Sequence, residues 1–204
     1  MNTRGSPVVL ALALLTAVVF LLQGCSPEYA RPRSETRLLT DGHGSGSGVV
    51  LRPGLVLTAG HVAVHPGLVI AGKFGKAGDA AVANEGVDLG LIRYTDDSAS
   101  CPCVRLADHE AEVDEAIIIV GYPYGIGSVI TEGRSQGVML LPDGKVMLVI
   151  TATAAPGNSG GAVYAYRDGR WQLVGILTAA AERGSVSLAV PLSSINAFLA
   201  ANAK

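Results

Sequence analysis

The chain has no long block of lysine or arginine, and its formal net charge is only −2. That excludes the basic footprint of a nucleic-acid binder, and electrostatics names no other partner. It has almost no helical periodicity before residue 193, which excludes a helix bundle and a sheet alternating with helices. Its one long apolar stretch, Val8 to Leu22, covers 15 residues, fewer than the ~20 that a membrane-spanning helix needs. Cys101-Pro102-Cys103 has no second Cys or His pair nearby, which excludes a tetrahedral zinc site. Charged residues are 16% of the chain against 49% hydrophobic ones, so its 204 residues can bury a sizeable core in one large domain or two halves sharing an interface.

What is present begins with Arg4, the apolar stretch, and then Leu22-Gln23-Gly24-Cys25 followed by the polar SPEYARPRSETR. A positive start, an apolar middle and a small residue before a cleavage point read as a signal peptide. The cysteine directly after Gly24 resembles the lipobox of bacterial lipoproteins. That resemblance implies removal of residues 1–24, lipidation of Cys25 and attachment to the cell envelope, facing the periplasm or the exterior. Several acyl chains would hold the protein firmly, because each buried methylene contributes ~0.8 kcal/mol. Resemblance to enteric lipoproteins with Ser26 after the cysteine implies the outer membrane in preference to the inner. Residues 25–40, polar and interrupted by Pro27 and Pro32, are expected to form a flexible tether, with the fold beginning near Asp41.

From Asp41 onward the text is short apolar runs with punctuation. GVVL, LVLTA, LVIAGKF, DLGLIRY, EAIIIVG, SVITEG, GVMLL, KVMLVIT, GAVYAY, WQLVGIL and VSLAV read as strands, separated by RPG, HPG, PDG, RDG and RGS turns. A helix is expected only at the end, where Ile195, Phe198 and Leu199 share a face behind a serine placed to cap it. This pattern predicts an all-β protein, a sandwich or barrels.

Within that frame, Pro156-Gly157-Asn158-Ser159-Gly160-Gly161 is either a tight turn or the seat of a nucleophilic serine. A nucleophilic serine needs a base, a carboxylate to orient the base, and backbone amides for the oxyanion. His43, His61, His65 and His109 all precede Ser159. The nucleophile elbow of α/β-hydrolases requires a histidine after the serine, so it does not apply. His61 follows the strand-like Leu57-Thr58-Ala59-Gly60, and Asp88 heads Leu89-Gly90-Leu91-Ile92. Asp79, in KAGDAA, and Asp96, in TDDS, are the other carboxylates considered, but both stand in polar surroundings where a solvated side chain is the ordinary outcome.

The blocks SGVVL…LTAGHV, VDLGLIR and PGNSGG, in that order, resemble the three catalytic blocks of trypsin-like serine peptidases. CVRLADHEAEVDEAIIIVGYPYGIGSVITEGRSQG and the strands after Ser159 resemble the HtrA-type bacterial branch, over roughly Gly44 to Leu199, without residues for a PDZ domain. The resemblance implies two antiparallel six-stranded β-barrels, residues 41–112 and 113–204, with the active site between them and a short C-terminal helix. It implies Ser159 as nucleophile, His61 as general base and then acid, and Asp88 as the orienting group. Gly157 and Ser159 would supply the oxyanion amides, with Gly160 and Gly161 allowing close strand packing. Thr178, Ala179 and Ala180 would lie beside the substrate backbone. Thr153 to Pro156 would wall a primary pocket without charge, suited to small or medium apolar residues. Asn158 is neutral where pancreatic-type enzymes carry an aspartate that pairs with a new N-terminus, so no activation of that kind is expected.

The expected substrate is a protein or peptide, with no cofactor and no metal. His65, four residues after His61, lacks the glutamate of the H-E-x-x-H metal motif and reads as a surface residue, with His43 and His109 as loop residues. Cys101 and Cys103 are either a local disulfide or two free thiols. A non-catalytic binding module on a peptidase fold and an esterase using the same residues are the alternative functions. Oligomeric state and natural substrate stay open.

Overall fold

The computed structural model describes residues 29–71, 77–95, 101–180 and 186–203. Cys25 and the signal segment lie outside the described residues, as does Asp96; for Asp79 only the backbone is described. Two β-sheets of six strands each carry the fold.

The first sheet holds β1 (Thr36–Thr40), β2 (Ser45–Arg52), β3 (Leu55–Thr58), β4 (Val69–Ile70), β5 (Ala77–Asn84) and β6 (Leu89–Tyr94), in the order β4-β1-β2-β3-β6-β5. The second holds β7 (Ala116–Gly121), β8 (Val129–Leu140), β9 (Val146–Ile150), β10 (Ala162–Arg167), β11 (Arg170–Ala180) and β12 (Ser187–Pro191), closed into a barrel. Two six-stranded units match the expectation, but only the second is closed. The end strands β4 and β5 of the first do not pair with each other among the described residues, and of the expected strand LVIAGKF β4 holds Val69 and Ile70, while its last three residues lie outside the described residues.

The turns follow their residue types. Arg167-Asp168-Gly169-Arg170 joins β10 to β11 with positive φ at both Asp168 (51°) and Gly169 (76°), the backbone of a tight hairpin whose twist suits its strands. SVITEG and GVMLL, expected as separate strands, are one strand, β8. It stays continuous because a register shift between Ser135 and Val138 is absorbed at Gly137, φ 84°, whose amide donates to the buried Ser135 hydroxyl at 3.0 Å. An extra residue taken up by a left-handed glycine is a bulge.

Two corrections concern the ends of the chain. The segment expected as a flexible tether is folded from Ala30 onward: α1 (Ala30–Glu35) leads into β1, which pairs with β2 and β4. Burial explains it. Leu39 is fully buried in the first core beside Val56, Val62 and Ile92, and Glu35 is 1% exposed, accepting the Tyr164 hydroxyl proton at 2.9 Å. At the other end, α3 (Leu192–Asn202) buries Ile195 and Phe198 as expected, but no serine caps it. Glu110 does so instead, its carboxylate accepting the amides of Leu192 (3.1 Å) and Ser193 (2.7 Å), where a negative charge suits the helix N-terminus.

Cys101 and Cys103 form a disulfide, Cα atoms 5.1 Å apart, packed on the first core. The second core gathers Ile117, Ile119, Leu148, Ile150, Val163 and Val174 inside the barrel. Among the described residues no helix is long and apolar enough to cross a membrane.

Candidate active site

His61 lies in α2 (Gly60–Ala63), a single turn that follows β3 immediately. Asp88 ends the turn between β5 and β6, where the Asn84 side chain accepts the amides of Gly86 (3.0 Å) and Val87 (3.2 Å), a local bond that Asn makes in turns. Asp88 itself has φ 57°, a left-handed conformation that costs a non-glycine residue. The surroundings repay it. Asp88 Oδ1 accepts the His61 backbone amide at 3.0 Å, and its two oxygens lie 2.9 and 3.0 Å from His61 Nδ1. Gly60 permits this approach, since a Cβ there would meet the Asn84 carbonyl at 2.9 Å and the Leu89 amide at 3.1 Å.

The pair perturbs both groups. The hydrogen bond that the His61 ring donates to Asp88 raises the His61 pKa above its ordinary 6.5, against the opposing effect of burial. Burial pushes Asp88 upward, but the hydrogen bonds from the His61 ring and amide and the His61 charge outweigh it and hold the carboxyl below 3.8. Nδ1 facing a carboxylate leaves Nε2 as the nitrogen able to accept a proton.

Ser159 and His61 line one cavity of about 340 Å³, whose apolar wall is Leu39, Val62 and Leu68 and whose rim carries His43 and His65. The Ser159 hydroxyl hydrogen-bonds the Thr178 carbonyl at 3.3 Å, and no bond to the His61 ring is present among the described residues.

The loop around Ser159 is held by contacts from both sheets. Ser47, fully buried, donates its amide to the Ser159 carbonyl at 2.7 Å and its hydroxyl to the Gly157 carbonyl at 2.8 Å. That same hydroxyl accepts the Tyr122 amide at 2.9 Å. The Pro156 carbonyl accepts the Tyr124 amide at 2.7 Å, from the one-turn helix Pro123–Gly125 in which Tyr124 has φ 53°. With Pro156 oxygen tied down and no cis peptide among the described residues, the Gly157 N–H points the opposite way. Gly157 has φ 94°, and a Cβ would meet the Tyr122 carbonyl at 2.6 Å and the Tyr124 amide at 2.7 Å, so no other residue fits. Among the described residues the amides of Gly157 and Ser159 donate no hydrogen bond within the protein. Two adjacent unpaired donors beside a serine can stabilise a developing negative oxygen.

Sequence reasoning named Gly157 and Ser159 but missed Ser47, Tyr122 and Tyr124. The doublet SGSGVV held the only signal for Ser47, and nothing local distinguishes one serine there from the other. Thr178, Ala179 and Ala180 lie at the end of β11, the last two exposed, and Thr153 is exposed ahead of the Ser159 loop. His65 is exposed, its Nδ1 3.7 Å from Asp41 Oδ2. His109 Nδ1 lies 3.0 Å from the Glu110 carbonyl. No metal-binding group of side chains occurs among the described residues. Asn158 is 3% exposed, and its Oδ1 has no hydrogen-bond partner.

A family model of the trypsin-like peptidase domain matches residues 46–176. No curated protein matches the chain. Among the solved structures that share the fold are three proteases. The Rv3671c protease of M. tuberculosis in an inactive form has a TM-score of 0.74 and 20% identity, over 87% of this chain and 93% of that one. The serine endoprotease of Yersinia pestis has a TM-score of 0.73 and 20% identity, over 85% of this chain and 64% of that one. The HtrA-type protease AlgW with a tripeptide has a TM-score of 0.72 and 23% identity, over 85% and 62%. This chain therefore spans less than two thirds of the last two.

Proposed function

The chain belongs to the trypsin-like peptidase domain family and is a serine endopeptidase; from that premise we propose that Ser159 is its nucleophile, His61 its base and Asp88 the group that orients the base. The observation that carries this reading is the pair of unpaired amides at Gly157 and Ser159, on the loop that shares a cavity with the hydrogen-bonded His61 and Asp88.

The Ser159 hydroxyl turns from the Thr178 carbonyl to His61 Nε2, which takes its proton as Oγ attacks the scissile carbonyl. The resulting oxyanion is held by the two amides. Asp88 stabilises the imidazolium and keeps its proton on Nδ1. His61 then protonates the leaving amine, and water, deprotonated by His61, releases the acyl group. The β11 end at Thr178, Ala179 and Ala180, with Thr153 opposite, receives the acyl side of the peptide, and a small or medium apolar residue precedes the cleaved bond because none of these four side chains carries a charge. The apolar cavity by Leu39, Val62 and Leu68 receives the departing side. A lipidated Cys25 would hold the enzyme to the cell envelope, at the outer membrane in preference to the inner.

The Ser159 hydroxyl's bond to Thr178 favours one second reading, a binding module whose serine is never activated. Labelling of the full chain with a fluorophosphonate separates the two. Covalent attachment at Ser159, lost in Ser159→Ala and His61→Ala, is the expected result; a folded wild type that takes no label overturns the peptidase assignment of these residues.

A further inference from the structure

The chain has one tryptophan, Trp171, and three arginines gather around it. Arg31 of α1, Arg105 of the segment between the sheets and Arg170 at the start of β11 line a cleft of about 290 Å³ with Trp171, Val104 and Cys103 of the disulfide. Among the described residues no acidic side chain lines this cleft. Glu35 takes the Nε edge of Arg31 at 2.7 Å and so fixes that guanidinium while leaving its terminal nitrogens unengaged among the described residues. Arg105 and Arg170 have no ion-pair partner among the described residues. By contrast Arg167, on the same hairpin, is fully occupied by Glu115 and two carbonyls. Arg31 is paired with Glu35, and the unpaired like charges of Arg105 and Arg170 on the same concave surface repel one another unless an anion joins them.

Guanidinium groups present planar forks of donors that match the oxygens of a phosphate two at a time, and several forks converging on one cleft suit a group with three or more acceptor oxygens. Trp171, held edge-on to Tyr166 with ring centres 5.0 Å apart, gives the cleft a flat apolar wall for the carbon part of an ester. The site is remote from Ser159, because the whole of β10 lies between them, on the order of 20 Å. We propose that this cleft binds the phosphate of a phosphate ester. Arg31 stands six positions after Cys25, and six residues span at most about 20 Å, so a chain anchored at Cys25 would bring the cleft to the headgroup layer, where arginine and tryptophan are both favoured. An anionic lipid headgroup is the source this placement favours. The phosphate chemistry does not rest on the peptidase reading.

Because Trp171 is the sole tryptophan, its emission reports on this cleft alone. The purified full chain is titrated with inorganic phosphate, with chloride replaced to keep ionic strength constant. A saturable change in Trp171 emission is expected, with apparent affinity at least tenfold weaker in Arg105→Ala/Arg170→Ala while fluorophosphonate labelling is unchanged. Arg170→Lys, which keeps the charge but loses the fork, is expected to fall between the two and covers the case in which the double variant does not fold. The absence of a saturable response in the wild type, or a response equal in all variants, overturns the proposal. A second arm assigns the source: an emission shift on phosphatidylglycerol but not phosphatidylcholine vesicles, relative to the double variant, identifies a lipid headgroup. Saturation by phosphate with indifference to vesicle composition identifies a soluble phosphate ester.

Discussion

The Ser47 hydroxyl donates to the Gly157 carbonyl at 2.8 Å across 110 positions of chain. Through this bond a strand of the first sheet fixes a peptide of the second that neighbours the proposed nucleophile. Ser47→Ala leaves the Gly157 carbonyl and the Tyr122 amide without their shared partner in a dry interior, a loss of about 1–3 kcal/mol of stability. It also frees the Gly157 peptide to rotate. Peptide hydrolysis is expected to show kcat reduced roughly 10- to 100-fold, equivalent to about 1.4–2.8 kcal/mol, with KM little changed; an equal fall through KM alone would assign Ser47 to ground-state binding.

Gly160 offers a sharper packing test. A Cβ there would stand 2.1 Å from both the Ser47 carbonyl and the Thr58 hydroxyl, on a backbone at φ 82°. Gly160→Ala is expected to abolish fluorophosphonate labelling and lower the melting temperature steeply. Gly169→Ala is the control: φ there is 76° with open space around it, so only backbone strain of roughly 1–2 kcal/mol is added and labelling should persist.

With His61 as the proposed base, activity is expected to require its neutral form, and Asp88 raises its pKa above 6.5. The acidic limb of kcat/KM against pH is therefore expected to have its midpoint above 6.5. Asp88→Asn removes the cause, so the midpoint should move down while kcat falls by about 10⁴. For stability, His61 has a raised folded pKa, so its contribution is complete below 6.5 and lost as pH rises through the folded value. Asp88 has a lowered one, so its contribution is present above 3.8 and lost as pH falls through the folded value. The ion pair thus stabilises most between pH 3.8 and 6.5, where activity is already declining. His61 is 48% exposed, which limits the effect to about 1 kcal/mol or less. Melting temperatures of wild type and Asp88→Asn across this range test the sign.

Glu35 and Tyr164 tie α1 to the second barrel, 129 positions apart. Glu35→Ala takes the carboxylate acceptor from the fully buried Tyr164 hydroxyl and leaves it only the Thr36 side chain, at a cost of about 1–3 kcal/mol, whereas Tyr164→Phe removes the hydroxyl itself and leaves the Glu35 carboxylate its Arg31 partner. Thermal unfolding should therefore be hurt more by Glu35→Ala than by Tyr164→Phe. The reverse order would mean that Tyr164 is held by packing and not by the carboxylate.

The disulfide Cys101–Cys103 closes a loop of three residues, and loop-closure entropy is small for so short a ring, about 1.6 kcal/mol. Replacing both cysteines by serine is expected to lower stability by no more than that and to leave hydrolysis intact, as measured by chemical denaturation and peptide turnover.

The all-β class was legible along the chain because strand alternation, turn residues and a terminal amphipathic helix are local properties. So were His61, Asp88 and Ser159 as candidates, since chain order and neighbouring glycines distinguish them from the other histidines and carboxylates. β1 was not legible. Thr36-Arg37-Leu38-Leu39-Thr40 is too short and too polar to announce a strand, and it exists because β2 and β4 supply its hydrogen bonds and the first core takes Leu39. The helix cap was misread for the same reason: Ser193 and Ser194 are near in sequence, but Glu110 is near in space.

What the sequence by itself determined is the set of chemical groups and the backbone freedom around them: a serine among glycines, a histidine after a strand, an aspartate before one. Only the tertiary structure decided which groups touch. It joined His61 to Asp88 across 27 positions, set Ser47 behind Gly157, and gathered Arg31, Arg105 and Arg170 at one cleft. Local pattern cannot specify such contacts, because each is paid for by the burial of strands distant in sequence, and the free energy of that burial belongs to the whole fold.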